Sequence, residues 1–139
     1  MLVLSSKTRY AIIALAKLAK EYGKGPVMLN DIADTTLIPK NFLPSILLEL
    51  KTMGIIASRS GYKGGYYLIR KPEEVNLEEI VNYFEGPSRG MNCMADKNHP
   101  CEYCIAGEFC MIQNVYKEIM DNTIAVLRRT TIDKIVKGH

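Results

Sequence analysis

The sequence predicts a mainly α-helical protein with one small β-hairpin: three helices, the hairpin, a fourth helix and a long C-terminal helix. Apolar residues recur three and four positions apart in several segments, which is the period of an amphipathic helix. Two short runs rich in β-branched and aromatic residues flank a glycine-rich stretch between residues 55 and 70, as in a hairpin. The 139 residues, 47% of them hydrophobic, suffice for one domain with a core.

Two helices are expected in the first part of the chain. The first is capped by Ser5 or Ser6 and runs to about Tyr22, because the Gly-Lys-Gly-Pro stretch at 23–26 stops it. A short second helix begins near Leu29. The apolar residues near helical spacing are Tyr10, Ile13, Leu18 and Tyr22 in the first helix, and Ile32 and Ala33 are expected to point inward in the second.

A third helix is expected from about Asn41 to Met53, ended by Gly54. Pro39 and Pro44 lie close to its start. Proline is tolerated there because the N–H groups of a first helical turn have no intrahelical partner. The residues expected to face the core are Phe42, Leu43, Ile46, Leu47 and Leu50.

A hairpin follows, with strands at 55–59 and 66–70. Its tip, residues 60–65, is rich in glycine and carries a lysine, so its backbone can approach another surface closely. Two short helices followed by a hairpin with a basic tip describe a winged helix-turn-helix. In that arrangement the second helix of the pair enters the major groove of DNA and the wing reaches a minor groove.

Two more helices are expected after the hairpin. Asn76 and Glu79 resemble a capping box that opens a helix to about Glu85. The last helix runs from about Met111 to Thr130. The apolar stripe along this helix must be buried against another surface. A second copy of the chain would provide that surface, so we expect a homodimer. The stripe consists of Ile112, Val115, Tyr116, Ile119, Met120, Thr123, Val126 and Leu127.

The charge of the chain is unevenly distributed. Residues 1–71 hold eleven Lys and Arg against four Asp and Glu, whereas residues 72–139 hold seven against eleven. A basic first half indicates a polyanion as partner, and double-stranded DNA fits the helix order; the alternative is an ordinary solvated surface. The candidate contact residues are Lys40, Asn41 and Ser45 in the third helix and Arg59, Ser60, Tyr62 and Lys63 in the wing.

All four cysteines fall within eighteen residues: Cys93, Cys101, Cys104 and Cys110. In a reducing compartment such clustered thiols indicate a metal site more often than structural disulfides. Spacing alone leaves an iron–sulfur cluster, zinc and a reversible disulfide open. His99, two residues before Cys101, is an additional candidate ligand, with solvation of a loop histidine as the alternative.

The sequence also indicates several absences. The N-terminus does not read as a signal peptide, and no apolar run is long enough to span a membrane, so a cytoplasmic protein is expected. No catalytic constellation is apparent. The Cys101-x2-Cys104 pair does not lie at a strand-to-helix junction, as a thioredoxin-like enzyme would need, so an enzyme is not expected.

Several segments in order resemble the Rrf-type winged-helix transcriptional regulators, a family with iron–sulfur, nitric-oxide and cysteine-metabolism regulators. They are residues 4–11 (LSSKTRYA), 25–27 (GPV), 31–33 (DIA), 64–66 (GGY) and 78–80 (EEI). The resemblance implies a DNA-binding head at 1–86, a cluster-binding loop at 87–110, and a dimerisation helix with a tail at 111–139.

The resemblance further implies a transcriptional regulator, often a repressor, that senses iron–sulfur status, redox state or nitric oxide through a cluster. It implies a 2Fe–2S or 4Fe–4S cluster, with 2Fe–2S favoured, held by Cys93, Cys104, Cys110 and one other ligand. A thiol- or zinc-responsive regulator of the same fold is the alternative.

The sequence departs from the family pattern at the fourth ligand. Cys101 is an extra thiol and is a candidate for that role. Gln113 stands where the iron–sulfur regulator has histidine, and Arg9 where the nitric-oxide sensor has an acidic residue.

In the third helix Pro44 replaces a glutamate that tunes site choice, and the wing arginine is displaced by one residue to Arg59, so operator preference is expected to differ.

Overall fold

The computed structural model describes residues 4–86 and 113–138, except for the side chain of Gln113. The predicted class is confirmed: the described residues are mostly helical, with one two-stranded antiparallel sheet. The elements are α1 (Ser6–Lys20), α2 (Leu29–Thr35), α3 (Leu43–Thr52), β1 (Ile56–Arg59), β2 (Gly65–Leu68), a 3-10 turn (Pro72–Glu74), α4 (Leu77–Glu85), α5 (Gln113–Arg129) and α6 (Ile132–Val136).

The core lies where α1, α3, α4 and α6 meet. On α1 the buried face is formed by Ala11, Ala14, Leu15 and Leu18. Of the apolar set singled out in the sequence of α1, only Leu18 belongs to that face. Ile13 and Tyr22 are exposed.

The first turn of α3 differs from the prediction. The amides of Phe42 and Leu43 donate to the carbonyl of Pro39, so residues 39–42 form a separate turn and α3 begins at Leu43. This start leaves Pro44 in the first turn, where its missing N–H costs nothing. The prediction that Phe42 is a core residue is wrong, because 51% of it is exposed; its ring stacks on Tyr10 of α1 instead.

The hairpin is tied to the loop between α1 and α2. Its strands pair from Ile56 with Leu68 to Arg59 with Gly65. Val27 and Tyr66 exchange both backbone hydrogen bonds at 2.8 Å, which form an isolated antiparallel bridge beside β2. Gly65 permits this approach, since its φ is +147° and a Cβ there would lie 2.3 Å from the carbonyl oxygen of Val27.

The C-terminal part of the chain returns to the head. The amide of Leu77 donates a hydrogen bond to the carbonyl of Thr130, and the amide of Ile132 donates one to the carbonyl of Val75, both at 2.9 Å. Helix α6, which the sequence analysis did not predict, then packs on α1 with Ile132 fully buried. Thr131 caps it by accepting a hydrogen bond from the amide of Lys134. The C-terminal end of α5 is therefore fixed to the head by α6.

Two further predictions from the sequence concern a membrane span and the ligands of a cluster. None of the helices in 4–86 and 113–138 is long and apolar enough to cross a membrane. The predicted cluster ligands Cys93, Cys101, Cys104 and Cys110, together with His99, lie outside the described residues. Within the described ranges no group of three or more His, Cys, Asp and Glu could hold a metal ion.

Candidate nucleic-acid interface

The helix-turn-helix unit presents its predicted contact residues to solvent. Four buried side chains, Leu43, Ile46, Leu47 and Leu50, fix one face of α3 against the head. Lys40 and Asn41 are exposed in the turn before α3, and Ser45 is exposed in its first turn. The sequence predicts all three in the helix itself. The later helix start moves Lys40 and Asn41 into the turn, and all three side chains remain accessible.

Two apolar residues share this exposed face of α3, and the sequence analysis did not single them out. Pro44 is exposed, and Leu48, one helical turn later, is 62% exposed. We call Pro44, Ser45 and Leu48 the outer row of α3. A helical projection would have found Leu48, because it lies two positions from both Ile46 and Leu50 and therefore on the opposite side of the helix from them.

The wing presents the other four predicted contact residues. Arg59, Ser60, Tyr62 and Lys63 are all exposed, Tyr62 to 94%. A tight turn closes the tip, with the amide of Gly64 donating to the carbonyl of Gly61 at 3.0 Å.

Gly64 is required for this turn. A Cβ on Gly64 would lie 2.2 Å from the carbonyl oxygen of Arg59. The small residue therefore lets the tip fold back on itself and project the Tyr62 and Lys63 side chains.

Two cationic side chains of the wing each lie close to a tyrosine ring. The Lys63 ammonium lies 5.7 Å from the centre of the Tyr62 ring, and the Arg59 guanidinium lies 5.9 Å from that of Tyr67. Both distances are within the range of a cation–π contact. Such contacts hold the charges at the surface without neutralising them, so they stay available to phosphate groups.

The described contacts hold α3 and the wing together. Lys51 near the end of α3 donates to the Ser58 hydroxyl of β1 at 2.9 Å. Lys7 of α1 forms an ion pair of 2.9 Å with Glu49, which leaves the one acidic residue of α3 paired. The helix and the hairpin can therefore act as one unit against a partner.

A pair of consecutive carboxylates connects the wing to α5. Arg70 follows β2 closely, and its Nη1 lies 2.7 Å from Oε1 of Glu79. Its Nη2 also donates to the carbonyl of Glu74. Glu78 accepts two hydrogen bonds from Arg128, from Nε at 2.7 Å and from Nη2 at 2.9 Å. The hydrogen bonds and charge of Arg128 lower the pKa of Glu78, and Glu78 in turn raises the pKa of Arg128.

A second polar cluster joins the end of α4 to the start of α1. The Glu85 carboxylate accepts hydrogen bonds from the Thr8 hydroxyl and from the Ser5 amide, and Thr8 is fully buried. The hydrogen bond from Thr8, followed by those from Ser5, lowers the pKa of Glu85. A carboxylate at this place also suits the positive end of the α1 dipole. The C-terminal end of α4 is therefore held close to the first turn of α1.

The arrangement as a whole has the parts of a DNA-reading surface: an exposed helix start, a basic wing and contacts that unite them. Comparison with known proteins agrees with it. Residues 4–138 match the Rrf2 family, described as an iron-dependent transcriptional regulator.

Several curated relatives are similar over nearly the whole chain. A putative rrf2-like HTH-type regulator of Rhodobacter capsulatus is 30% identical over 138 residues, covering 96% of this chain and 92% of the relative. IscR of Pectobacterium atrosepticum is 27% identical, covering 97% and 79%. NsrR of Bacillus licheniformis is 29% identical, covering 98% and 93%.

A solved structure shows that the fold of this chain is similar to that of a known regulator. CymR (YrzC), described as the global cysteine regulator of B. subtilis, superimposes with a TM-score of 0.82 at 28% identity. The superposition covers 100% of this chain and 99% of CymR.

Proposed function

Since the chain belongs to the Rrf2 family of transcriptional regulators, we propose that it is a homodimeric repressor that binds operator DNA and responds to a cysteine-ligated iron–sulfur cluster. Its relatives are transcriptional regulators and not enzymes. In this proposal residues 1–86 read DNA, 87–110 hold the cluster, and 111–139 pair two chains in the cytoplasm.

One observation carries the DNA-binding part of the proposal. All seven predicted contact residues are exposed, and they lie on the two elements that a winged helix-turn-helix presents to a duplex: the start of α3 and the tip of the hairpin. Arg59, Lys40 and Lys63 supply the positive charge, and Asn41 and Ser45 supply polar groups that can pair with base edges or phosphates.

The homodimer is supported by the surface of α5. Val115, Ile119 and Val126 are 57%, 54% and 45% exposed. Their spacing of four and seven residues places them in one apolar row along the helix. Asn122 falls within this row; an asparagine in an apolar seam is typical of helix pairs whose register is specified. A second copy of α5 would cover the row and place two DNA-reading heads on one duplex.

The cluster is supported by the donor set of the segment between α4 and α5. Thiolates are the usual ligands of iron–sulfur clusters, and this segment holds all four cysteines of the chain. We propose Cys93, Cys104 and Cys110 as ligands and Cys101 as the candidate for the fourth position. When bound, a 2Fe–2S cluster, favoured here over 4Fe–4S, would supply a redox-active and oxidant-sensitive group.

The ends of this segment connect to described contacts that lead to the DNA-reading elements. At one end, Glu85 ties α4 to Ser5 and Thr8 of α1. At the other, the segment leads into the start of α5, whose far end is docked on α4 through Arg128 and Glu78. Binding of the cluster by the cysteines would therefore bias the direction of the first turns of α5 relative to the head, and with it the spacing of two heads on DNA. The shift in operator affinity equals the difference in ligand affinity between the two arrangements.

A second candidate is a thiol- or zinc-responsive regulator of the same fold. The similarity to the cysteine regulator CymR, which extends over the whole chain, favours it. In this case the same cysteines would form a reversible disulfide or bind zinc, and the protein would be colourless.

A binding experiment tests the DNA-binding proposal. Full-length protein is incubated with random-sequence duplexes, bound DNA is selected over several rounds, and the affinity for the selected site is measured across a range of salt. We expect an inverted repeat, a two-chain stoichiometry and a steep loss of affinity with salt. Failure to enrich any sequence would contradict the proposal.

A further inference from the structure

We infer, on the basis of the proposed function, that Leu48 reads the C5-methyl group of a thymine and so sets the sequence preference at one base pair of each half-site. Leu48 lies in the middle of α3, with 62% of its surface exposed. It does not stand alone, because Pro44, one turn earlier, is exposed as well. The outer row of α3 is therefore apolar at two of its three positions.

The position of Leu48 is fixed by the packing of its helix. Its neighbours Ile46, Leu47 and Leu50 are all buried at 1% exposure or less. The carbonyl of Leu48 accepts a hydrogen bond of 3.0 Å from the Thr52 hydroxyl, one turn later. Rotation of α3 to hide Leu48 would expose three buried side chains, so Leu48 stays on the face that the proposed function turns toward the major groove.

The chemistry of the outer row favours a methyl group as its ligand. Pro44 and Leu48 carry no hydrogen-bonding side chain, and the Ser45 hydroxyl donates at 3.4 Å to the carbonyl of Phe42, just before α3. Lys51, further along α3, is bound to Ser58. Among the four bases only thymine presents a methyl group in the major groove, and apolar side chains contact it. An aliphatic row distinguishes thymine from cytosine by this contact.

The test uses the selected site and replaces each thymine in turn by deoxyuridine, which lacks only the methyl group. We expect one position per half-site at which the change weakens binding about fourfold, the factor for burial of one methylene-sized group. Leu48→Ala should bind both DNAs equally. Replacing that T·A pair by C·G should also weaken wild-type binding, and 5-methylcytosine in place of the cytosine should restore part of it.

Ile13→Ala is the matched control. Ile13 is also an exposed aliphatic residue on a helix, at 39%, but it lies on α1. This variant should keep the full deoxyuridine penalty. Leu48→Ala should retain the wild-type melting temperature, because the residue is exposed and alanine favours a helix.

Two results would overturn the inference while leaving DNA binding intact. One is a wild-type protein that is indifferent to deoxyuridine at every position. The other is a penalty that is unchanged in Leu48→Ala. If no DNA is selected at all, the proposed function fails, and the role of Leu48 fails with it.

Discussion

Glu78 of α4 holds Arg128 of α5 at two points, with Nε 2.7 Å from Oε2 and Nη2 2.9 Å from Oε1. Glu79, the next residue, pairs with Arg70 just beyond the hairpin. Two consecutive carboxylates in the first turn of α4 therefore connect the wing to the helix proposed to pair two chains.

The Glu78–Arg128 pair predicts a specific dependence of stability on pH. Because Arg128 lowers the pKa of Glu78, the pair contributes stability above the carboxyl group's ordinary pKa of 4.5, and this stability is lost as the pH falls through the lowered value. Glu78→Gln should therefore melt below the wild type at pH 7, and the difference should shrink as the pH falls below 4.5. Thermal unfolding followed by circular dichroism measures it. Glu73→Gln, which removes an exposed carboxyl from the preceding turn, is the control for the loss of one negative charge at pH 7.

The contact between the wing and the α1–α2 loop predicts a large effect at Gly65. Gly65→Ala should lower the free energy of unfolding by about 3 kcal/mol, because positive-φ strain adds to loss of the Val27–Tyr66 bridge. Gly61→Ala is the matched control: φ is +91° there, but nothing lies within 4 Å of the added Cβ. It should cost only about 1–2 kcal/mol. Equal losses in urea titrations would show that the close approach at Gly65 is unimportant.

The charged wing predicts a change in salt dependence. Lys63→Ala should weaken binding about equally across DNA sequences and reduce the slope of log affinity against log salt by about one, the value for one lost phosphate contact. Lys117→Ala, an exposed lysine on α5, should leave the slope unchanged. Fluorescence anisotropy with labelled duplex over a salt series gives both slopes. An unchanged slope for Lys63→Ala would remove the wing tip from the interface.

The apolar row of α5 predicts that a charge will separate the dimer. Ile119→Lys should shift the protein from two chains to one in light scattering coupled to size exclusion, because a lysine in an apolar seam must be desolvated. Ile69→Ala, which alters another half-exposed apolar residue, should remain dimeric. A dimeric Ile119→Lys would mean that the row is covered in some other way.

Local sequence signals predicted most of the fold. The capping residues Ser5 and Asn76 lie where their hydrogen-bonding pattern requires, and Asn76 accepts from the amide of Glu79 as the capping box predicts. The exposure of the seven candidate contact residues was predictable from the sequence. The helix period and the placement of the glycines indicate which side chains of α3 and the wing face solvent.

The features that the sequence did not predict depend on contacts between distant segments. The Val27–Tyr66 bridge spans the head, and α6 packs on α1 more than 100 residues away in sequence, so no local period reveals either. Phe42 was assigned to the core from its place in an apolar stripe. The helix start at Leu43, which the proline at 44 determines, places it outside.

The central claim, that an iron–sulfur cluster controls operator binding, is tested most directly by purifying the protein without oxygen and measuring its absorbance, its iron and sulfide content and its operator affinity with and without the cluster. We predict a coloured protein whose affinity changes when the cluster is removed, and a Cys93→Ala, Cys104→Ala, Cys110→Ala triple variant that binds no iron and has the altered affinity permanently. Protein that holds iron and sulfide yet binds its operator with the same affinity as the cluster-free protein and the triple variant would contradict the claim, and so would colourless, iron-free protein from the oxygen-free preparation.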